Sequence, residues 1–209
     1  RLSAAVQASR APIALIRLQP PTVEALRYAL SPRAVAQGIY PHILHFSGHA
    51  WAEGLLFEDE FGQMNAVPNS RLLHQLKDIP PLDLAVFNAC ESAEHAFSAA
   101  QMWHEGGLAR AAIGHPVPVR DDEAIQFAAR LYAELARGGY PLGQAFEQAR
   151  EKVSREKPRL FGDQSLALSG LEAGEAFVEE GRPTGNMPAG ERFLYGRGRE
   201  LAEIAQAFD

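Results

Sequence analysis

The sequence predicts an α/β domain with a mostly parallel central sheet flanked by helices and a small hairpin insertion. Three observations carry that prediction. Short apolar runs alternate with amphipathic stretches, the order expected of strands and crossover helices around a parallel sheet. The run Ile43-Leu44-His45-Phe46-Ser47 is too short for a helix and has the character of a central strand. With 46% hydrophobic and 22% charged content, the 209 residues suffice to bury one sizeable core.

The elements follow in order along the chain. Ile13 to Leu18 is the first strand candidate, and after Pro20-Pro21 comes a helical segment in which Val23, Leu26, Tyr28 and Leu30 supply apolar contacts. Beyond the central strand at 43–47, Leu55-Leu56-Phe57 and Met64-Asn65-Ala66-Val67 are separated by acidic residues and Gly62, which reads as an inserted hairpin. Ser70 offers an N-cap for a helix from Arg71 to Lys77. Leu82 to Asn88 is the next strand. Its return helix is expected from about Glu94 to Leu108, with Phe97, Ala100, Trp103 and Leu108 near one face and Gly106-Gly107 at its end. Ala111 to Gly114 is a short strand, and Pro116 and Pro118, lacking ladder donors, turn the chain from His115 to Val119 into a loop at the sheet edge.

Asp121, Asp122 and Glu123 suit the positive N-terminal end of the following helix, where Ile125, Ala128, Tyr132 and Leu135 recur at helical spacing and Gly138-Gly139 closes. Pro141 fits the first turn of another helix carrying Leu142, Ala145, Phe146, Ala149 and Val153. Ser165 to Leu168 is the last strand candidate. The expected domain therefore spans residues 1–178. A polar, glycine- and proline-broken linker follows at 179–192, and 193–209 opens a second domain through the helical pattern Leu201, Ile204, Ala205 and Phe208. A first residue Arg1 and a last residue Asp209 inside a periodic segment point to a piece of a multidomain protein.

Charge and cysteine usage narrow the function classes. Twenty-six acidic against 20 basic side chains give a net charge of −6, which offers no footprint for nucleic acid or for an anionic membrane surface. No apolar stretch approaches the roughly 20 residues that span a bilayer. One cysteine cannot form an internal disulfide and no secretory signal opens the chain, so the cytoplasm is the expected compartment.

That one cysteine, Cys90, follows the strand candidate ending at Asn88, and His49 follows the one ending at Ser47. Open α/β sheets place their sites at the carboxyl ends of parallel strands, so the two side chains are expected at one crevice. A nearby imidazolium or a helix N-terminus lowers a thiol pKa by several units and supplies thiolate. The helix from about Glu94 is the expected source of the dipole. An imidazole can protonate a leaving amine and then activate water. Covalent acyl transfer by a Cys90–His49 dyad follows, with backbone N–H groups around Ala50 and Cys90 as an oxyanion hole, a feature often worth about 3 to 4 kcal/mol.

The motifs His45-Phe46-Ser47-Gly48-His49 and Asn88-Ala89-Cys90-Glu91-Ser92 together resemble the CHAT domains, caspase-like cysteine peptidases of the caspase, gingipain and separase clan. The resemblance continues through Ala112-Ile113-Gly114, Pro118-Val119 and Asp121-Asp122-Glu123-Ala124, and covers roughly residues 12 to 172. It implies a caspase-like three-layer sandwich and an endopeptidase acting on a protein substrate without a cofactor. It also implies His49 as general acid/base, Cys90 as nucleophile, and Asn88 as lining the pocket for the residue before the scissile bond. The family usually has glycine after the histidine where this chain has Ala50; a positive φ there would be strained. Such domains are commonly fused to repeats or to signalling ATPases, and Tyr195 to Phe208 is similar to the opening of such an ATPase domain. C-terminal regulatory domains of the same chain are therefore expected partners, in a bacterial signalling or defence setting.

Each residue also has a plainer reading. Cys90 alone would be a small buried hydrophobe. His42 and His45 fit hydrogen-bonded structural roles. A zinc site from His42, His45, His49 and Cys90 lacks any paired metal spacing, so no metal is expected. Asp121, Asp122 and Glu123 are a favourable first helical turn, or else Asp121 or Asp122 reaches the pocket and recognises a basic substrate side chain. His115 is a candidate border of the cleft. Gly196 and Gly198 lack the lysine and hydroxyl of a phosphate loop. Two further readings stand beside the protease: a catalytically silent caspase-like interaction platform, and a non-peptidase cysteine hydrolase acting on a small acyl or amide substrate.

Overall fold

The structure, a computed structural model, describes residues 15–32, 41–89, 92, 98–136, 140–154 and 156–167, together with the backbone of 178–179. Its centre is a four-stranded sheet in the order β2 (Ile43–Ser47), β6 (Leu82–Asn88), β7 (Ala109–Gly114), β8 (Arg159–Gly162). The first three strands are parallel and β8 runs antiparallel to β7. The mostly parallel sheet read from the apolar runs is thus present, but β2, expected as a central strand, stands at the edge of this sheet among the described residues and is only half-buried.

Both faces of the sheet are covered, which is why β6 and β7 are apolar almost throughout. One face meets α1 (Val23–Ala29), α2 (Asn69–Leu76), α3 (Ala99–Glu105) and a small antiparallel sheet. Leu26, Leu72, Leu76 and Trp103 pack there with Ala85 and Phe87, and the Trp103 indole stands edge-on to Phe87 at 5.3 Å. The other face meets α4 (Asp121–Ala136) and α5 (Leu142–Arg150), where Leu84, Val86 and Ile113 bury against Phe127, Leu131, Leu142 and Phe146. Alternation along β6 sends Ala85 and Phe87 to the first core and Leu84 and Val86 to the second. In α4 the buried apolar set is Ala124, Phe127, Ala128, Leu131, Tyr132 and Leu135, one helical stripe.

The inserted hairpin is β4 (Gly54–Glu58) and β5 (Met64–Pro68), and it carries an additional short strand, β3 (Ala50–Trp51), on the outer side of β4. Asp59 closes the β4–β5 turn, its Oδ1 accepting from the N–H groups of Phe61 and Gln63 at 2.9 and 2.8 Å. Gly54 is a place where only glycine fits. A Cβ there would sit inside the Trp51 indole and 2.6 Å from the Val67 carbonyl.

Several boundaries differ from those expected. The first strand, β1, is described only at Leu15–Ile16, and it pairs in parallel with β9 (Val178–Glu179). Tyr28 is exposed, while Val23, Leu26 and Leu30 are buried. The helix expected from Arg71 starts at Asn69 instead, with Pro68 in extended conformation as its cap, so Ser70 lies inside it. Of the helix expected from Glu94, residues 93–97 lie outside the described residues and α3 begins at Ala99. β7 is an interior strand, so the loop after it leaves the carboxyl end of the sheet and not a lateral edge.

The last strand of the four-stranded sheet is Arg159–Gly162, and the described residues of the run expected there, 165–167, form no strand. Ser165 is held in a turn by Asp163 Oδ1, which accepts from its N–H at 3.0 Å and its hydroxyl at 2.6 Å. The carbonyls of Gln164 and Leu166 accept from Gly143 and Leu142 at 2.8 and 2.7 Å. That segment satisfies the N-terminal N–H groups of α5, which Pro141 cannot cap with a side chain. Leu168, Gly138-Gly139, residues 180–192 of the linker expected at 179–192 and residues 193–209 lie outside the described residues, whereas Glu179, expected to open that linker, stands in β9.

Candidate active site

The site is built at the carboxyl ends of β2, β6 and β7. In the parallel β2–β6 ladder Ser47 is the Cα partner of Asn88, and in the β6–β7 ladder Phe87 is the partner of Gly114. His49 is the second residue after Ser47, as Cys90 is the second after Asn88 in sequence. The histidine is thus carried by a strand hydrogen-bonded to the one that leads to the cysteine. His49 is exposed at the end of β2, and its carbonyl accepts from Leu56 N at 3.0 Å, which ties it to β4. Cys90 and Glu91 themselves lie outside the described residues.

Ala50 stands in β3, opposite Leu55. Extended backbone suits alanine as well as glycine, so no strain attaches to this position. The His49–Leu56 hydrogen bond makes Ala50 and Leu55 a non-hydrogen-bonded pair of the antiparallel ladder. The Ala50 N–H is therefore directed away from β4.

One hydroxyl links described residues that lie before and after Cys90 in the sequence. Ser92 is fully buried, and its Oγ donates toward the carbonyls of Ala89 at 2.8 Å and Phe87 at 3.0 Å. The same oxygen accepts from the backbone N–H of His115 at 2.9 Å. The Ser92 carbonyl accepts from Ala100 N in the first turn of α3, at 2.9 Å. Gly114 permits this close approach, since a Cβ there would lie 2.6 Å from the Ser92 carbonyl oxygen. Neither Ser92 nor Gly114 stands out as chemistry in the sequence; the available signal is a small residue at the end of a buried strand.

Asn88 points to the α4 face. Its Nδ2 donates to the Ala124 carbonyl at 3.1 Å, and its Oδ1 is 3.1 Å from His115 Nε2. Because a carbonyl only accepts, the Asn88 amide presents oxygen to the imidazole, and His115 carries its proton on Nε2. His115 is buried, not at a cleft border, with its ring edge-on to Phe127 at 5.5 Å and its Nδ1 without a partner among the described residues. Burial pushes its pKa down to about 4, against an opposing pull from Glu123. His45 lies on the same face of the sheet, its Nδ1 2.7 Å from the Tyr132 hydroxyl. Burial and the neighbouring His115 bring its pKa down to about 4 as well. Both are neutral structural histidines near pH 7. His42 is exposed, and its carbonyl accepts from Asp83 and Leu84.

The Ala124–Asn88 bond seats the first turn of α4 on the end of β6. Asp121 and Asp122 are exposed there, and Asp122 chelates the Arg120 guanidinium through contacts of 3.1 and 3.2 Å. Glu123 turns away to Ser154, whose N–H and hydroxyl it accepts from. Among the described residues no group of three or more His, Cys, Asp or Glu side chains is placed to hold a metal ion.

A mostly parallel sheet between two helical layers, with a histidine and the approach to a cysteine at neighbouring strand ends, defines a caspase-like α/β domain. A model of the family described as CHAT domain matches residues 3–178, and the chain belongs to that family. Among solved structures the chain is similar to a secreted C11 cysteine protease from Bacteroides thetaiotaomicron in complex with an irreversible peptide inhibitor. The identity is 13% and the TM-score 0.46, over 63% of this chain and 37% of that one, so this chain spans well under half the protease's length. No curated protein matches. Among the described residues no helix is long and apolar enough to cross a membrane.

Proposed function

We propose that this domain is a cysteine endopeptidase cleaving a protein substrate. The observation that carries the reading is the β2–β6 register, in which Ser47 and Asn88 are partners and the chain then runs to His49 and Cys90. The Cys90 thiolate attacks the scissile carbonyl carbon and forms the S–C bond. Backbone N–H groups of Ala50 and Cys90 hold the oxyanion. His49 protonates the leaving amine as the C–N bond breaks, then takes a proton from water, which hydrolyses the thioester and releases Cys90. Asn88 and the exposed Asp121 and Asp122 border the pocket for the residue before the cut, and the two carboxylates select a basic side chain. The substrate is a cytoplasmic protein, and C-terminal domains of the same chain control access.

A catalytically silent platform would draw its strongest support from Ala50; in favour of the protease, Ala50 lies in the extended strand β3, where alanine is unstrained. The test incubates wild type, Cys90→Ala and His49→Ala with candidate partners and a peptide library, and maps the cuts. Cleavage by wild type, with at least a ~10³-fold loss in both variants, is expected. A wild-type protein in its activated state that cuts nothing would favour the platform. An apolar preference before the cut would remove Asp121 and Asp122 from the pocket.

A further inference from the structure

Ser92, two residues after Cys90 in the sequence, has a side chain that the dyad chemistry does not use and that binds Phe87 and Ala89, which precede the cysteine. We infer that Ser92 is a positioning residue for Cys90, its hydroxyl joining Phe87 and Ala89 before the nucleophile to His115 at the end of β7. The inference rests on the peptidase reading for its catalytic meaning, but its geometry stands separately. One oxygen, fully buried, meets the carbonyls of Phe87 and Ala89 on the near side of Cys90 and the N–H of His115 beyond β7. A hydroxyl is the smallest side chain that both donates and accepts, and both capacities are in use here. On the far side, the Ser92 carbonyl takes Ala100 N and packs against Gly114, so the residue can move toward neither α3 nor β7.

Displacements of about 1 Å in a reacting group cost roughly 10²-fold in rate, so an anchor two residues from a nucleophile acts on the chemical step. Ser98 supplies an internal control: it is equally buried and six residues further on, yet its hydroxyl has no hydrogen-bond partner among the described residues.

The test exploits the fact that the 209 residues hold a single cysteine. The rate of iodoacetamide alkylation of Cys90 is followed against pH in wild type, Ser92→Ala, Gly114→Ala and Ser98→Ala, alongside kcat and KM on a peptide that wild type cleaves. Thermal melting identifies the variants that fold. For Ser92→Ala the alkylation midpoint is expected to rise toward the ~8.5 of a free thiol. Its kcat is expected to fall about 10- to 100-fold with KM within about twofold of wild type. Gly114→Ala, which keeps the hydroxyl but pushes on the Ser92 carbonyl, moves both readouts in the same direction and decides the matter if Ser92→Ala does not fold. Ser98→Ala leaves them unchanged. Wild-type alkylation and kcat in Ser92→Ala or Gly114→Ala overturn the inference, as does an equal effect in Ser98→Ala. If wild type cuts nothing yet the alkylation shift appears, the peptidase reading fails and the positioning role stands. If cleavage requires Cys90 but is indifferent to both anchor variants, the reverse holds.

Discussion

His115 is neutral in the folded protein because its imidazole is almost wholly enclosed, and pH exposes the energetic cost of enclosing it. Its pKa falls to about 4 from the ordinary value near 6.5, so between those values the unfolded chain binds a proton that the folded one does not. Stability contributed at this residue is therefore intact above pH 6.5 and declines as pH falls toward 4. From pH 7 to pH 5 the decline is roughly 2 kcal/mol. Urea unfolding at the two values, in wild type and His115→Gln, is expected to give a difference between the proteins that shrinks by about that amount at pH 5. Parallel pH profiles would remove His115 as the source. Asn88 shares this environment, with both ends of its amide occupied by His115 and Ala124, so the substrate contact proposed for it would be made by an already fixed group.

At the scale of elements, the turn between β3 and β4 holds the backbone after His49. Gly54 lies under the Trp51 indole and against the Val67 carbonyl, and a methyl group there must displace one of them. Gly54→Ala is expected to destabilise the protein by about 1 to 3 kcal/mol, the usual cost of overpacking. Because Ala50 and Trp51 form the strand that would shift, cleavage should fall by more than the lost folded fraction explains. Unchanged melting temperature and unchanged kcat would show that β3 is free to adjust. β3 itself is absent from the sequence pattern, being two residues long and recognisable only through its partner β4. β2, β6 and β7 were legible because strands covered on both faces must be apolar, and α4 because one face of a 16-residue helix must be. β8 was hidden by its length and by the exposed Arg159. The run from Ser165 imitated a strand through Leu166, a core residue delivered by a turn. The dyad candidates were nominated from the ends of two apolar runs, and the ends of those runs, Ser47 and Asn88, are partners in the β2–β6 ladder. The anchors Ser92 and Gly114 were not, since their roles come from an approach between β6 and β7 that no local pattern encodes.

Across the whole molecule, the sheet separates two cores and brings three parallel strand ends to one edge. The strands' apolar faces fix the register, because a slip of one residue would send Phe87 and Val86 to the wrong layers. Register then decides which residues meet at the edge, and the proposed chemistry follows from it. The central claim, that Cys90 is a nucleophile activated by His49, is tested most directly by intact-mass analysis of the full chain after reaction with a peptide acyloxymethyl ketone. One adduct on Cys90 is predicted in wild type, none in Cys90→Ala, and a rate at least ~10²-fold lower in His49→Ala. Labelling of His49→Ala at the wild-type rate, or no labelling of wild type in its activated state, would contradict the account.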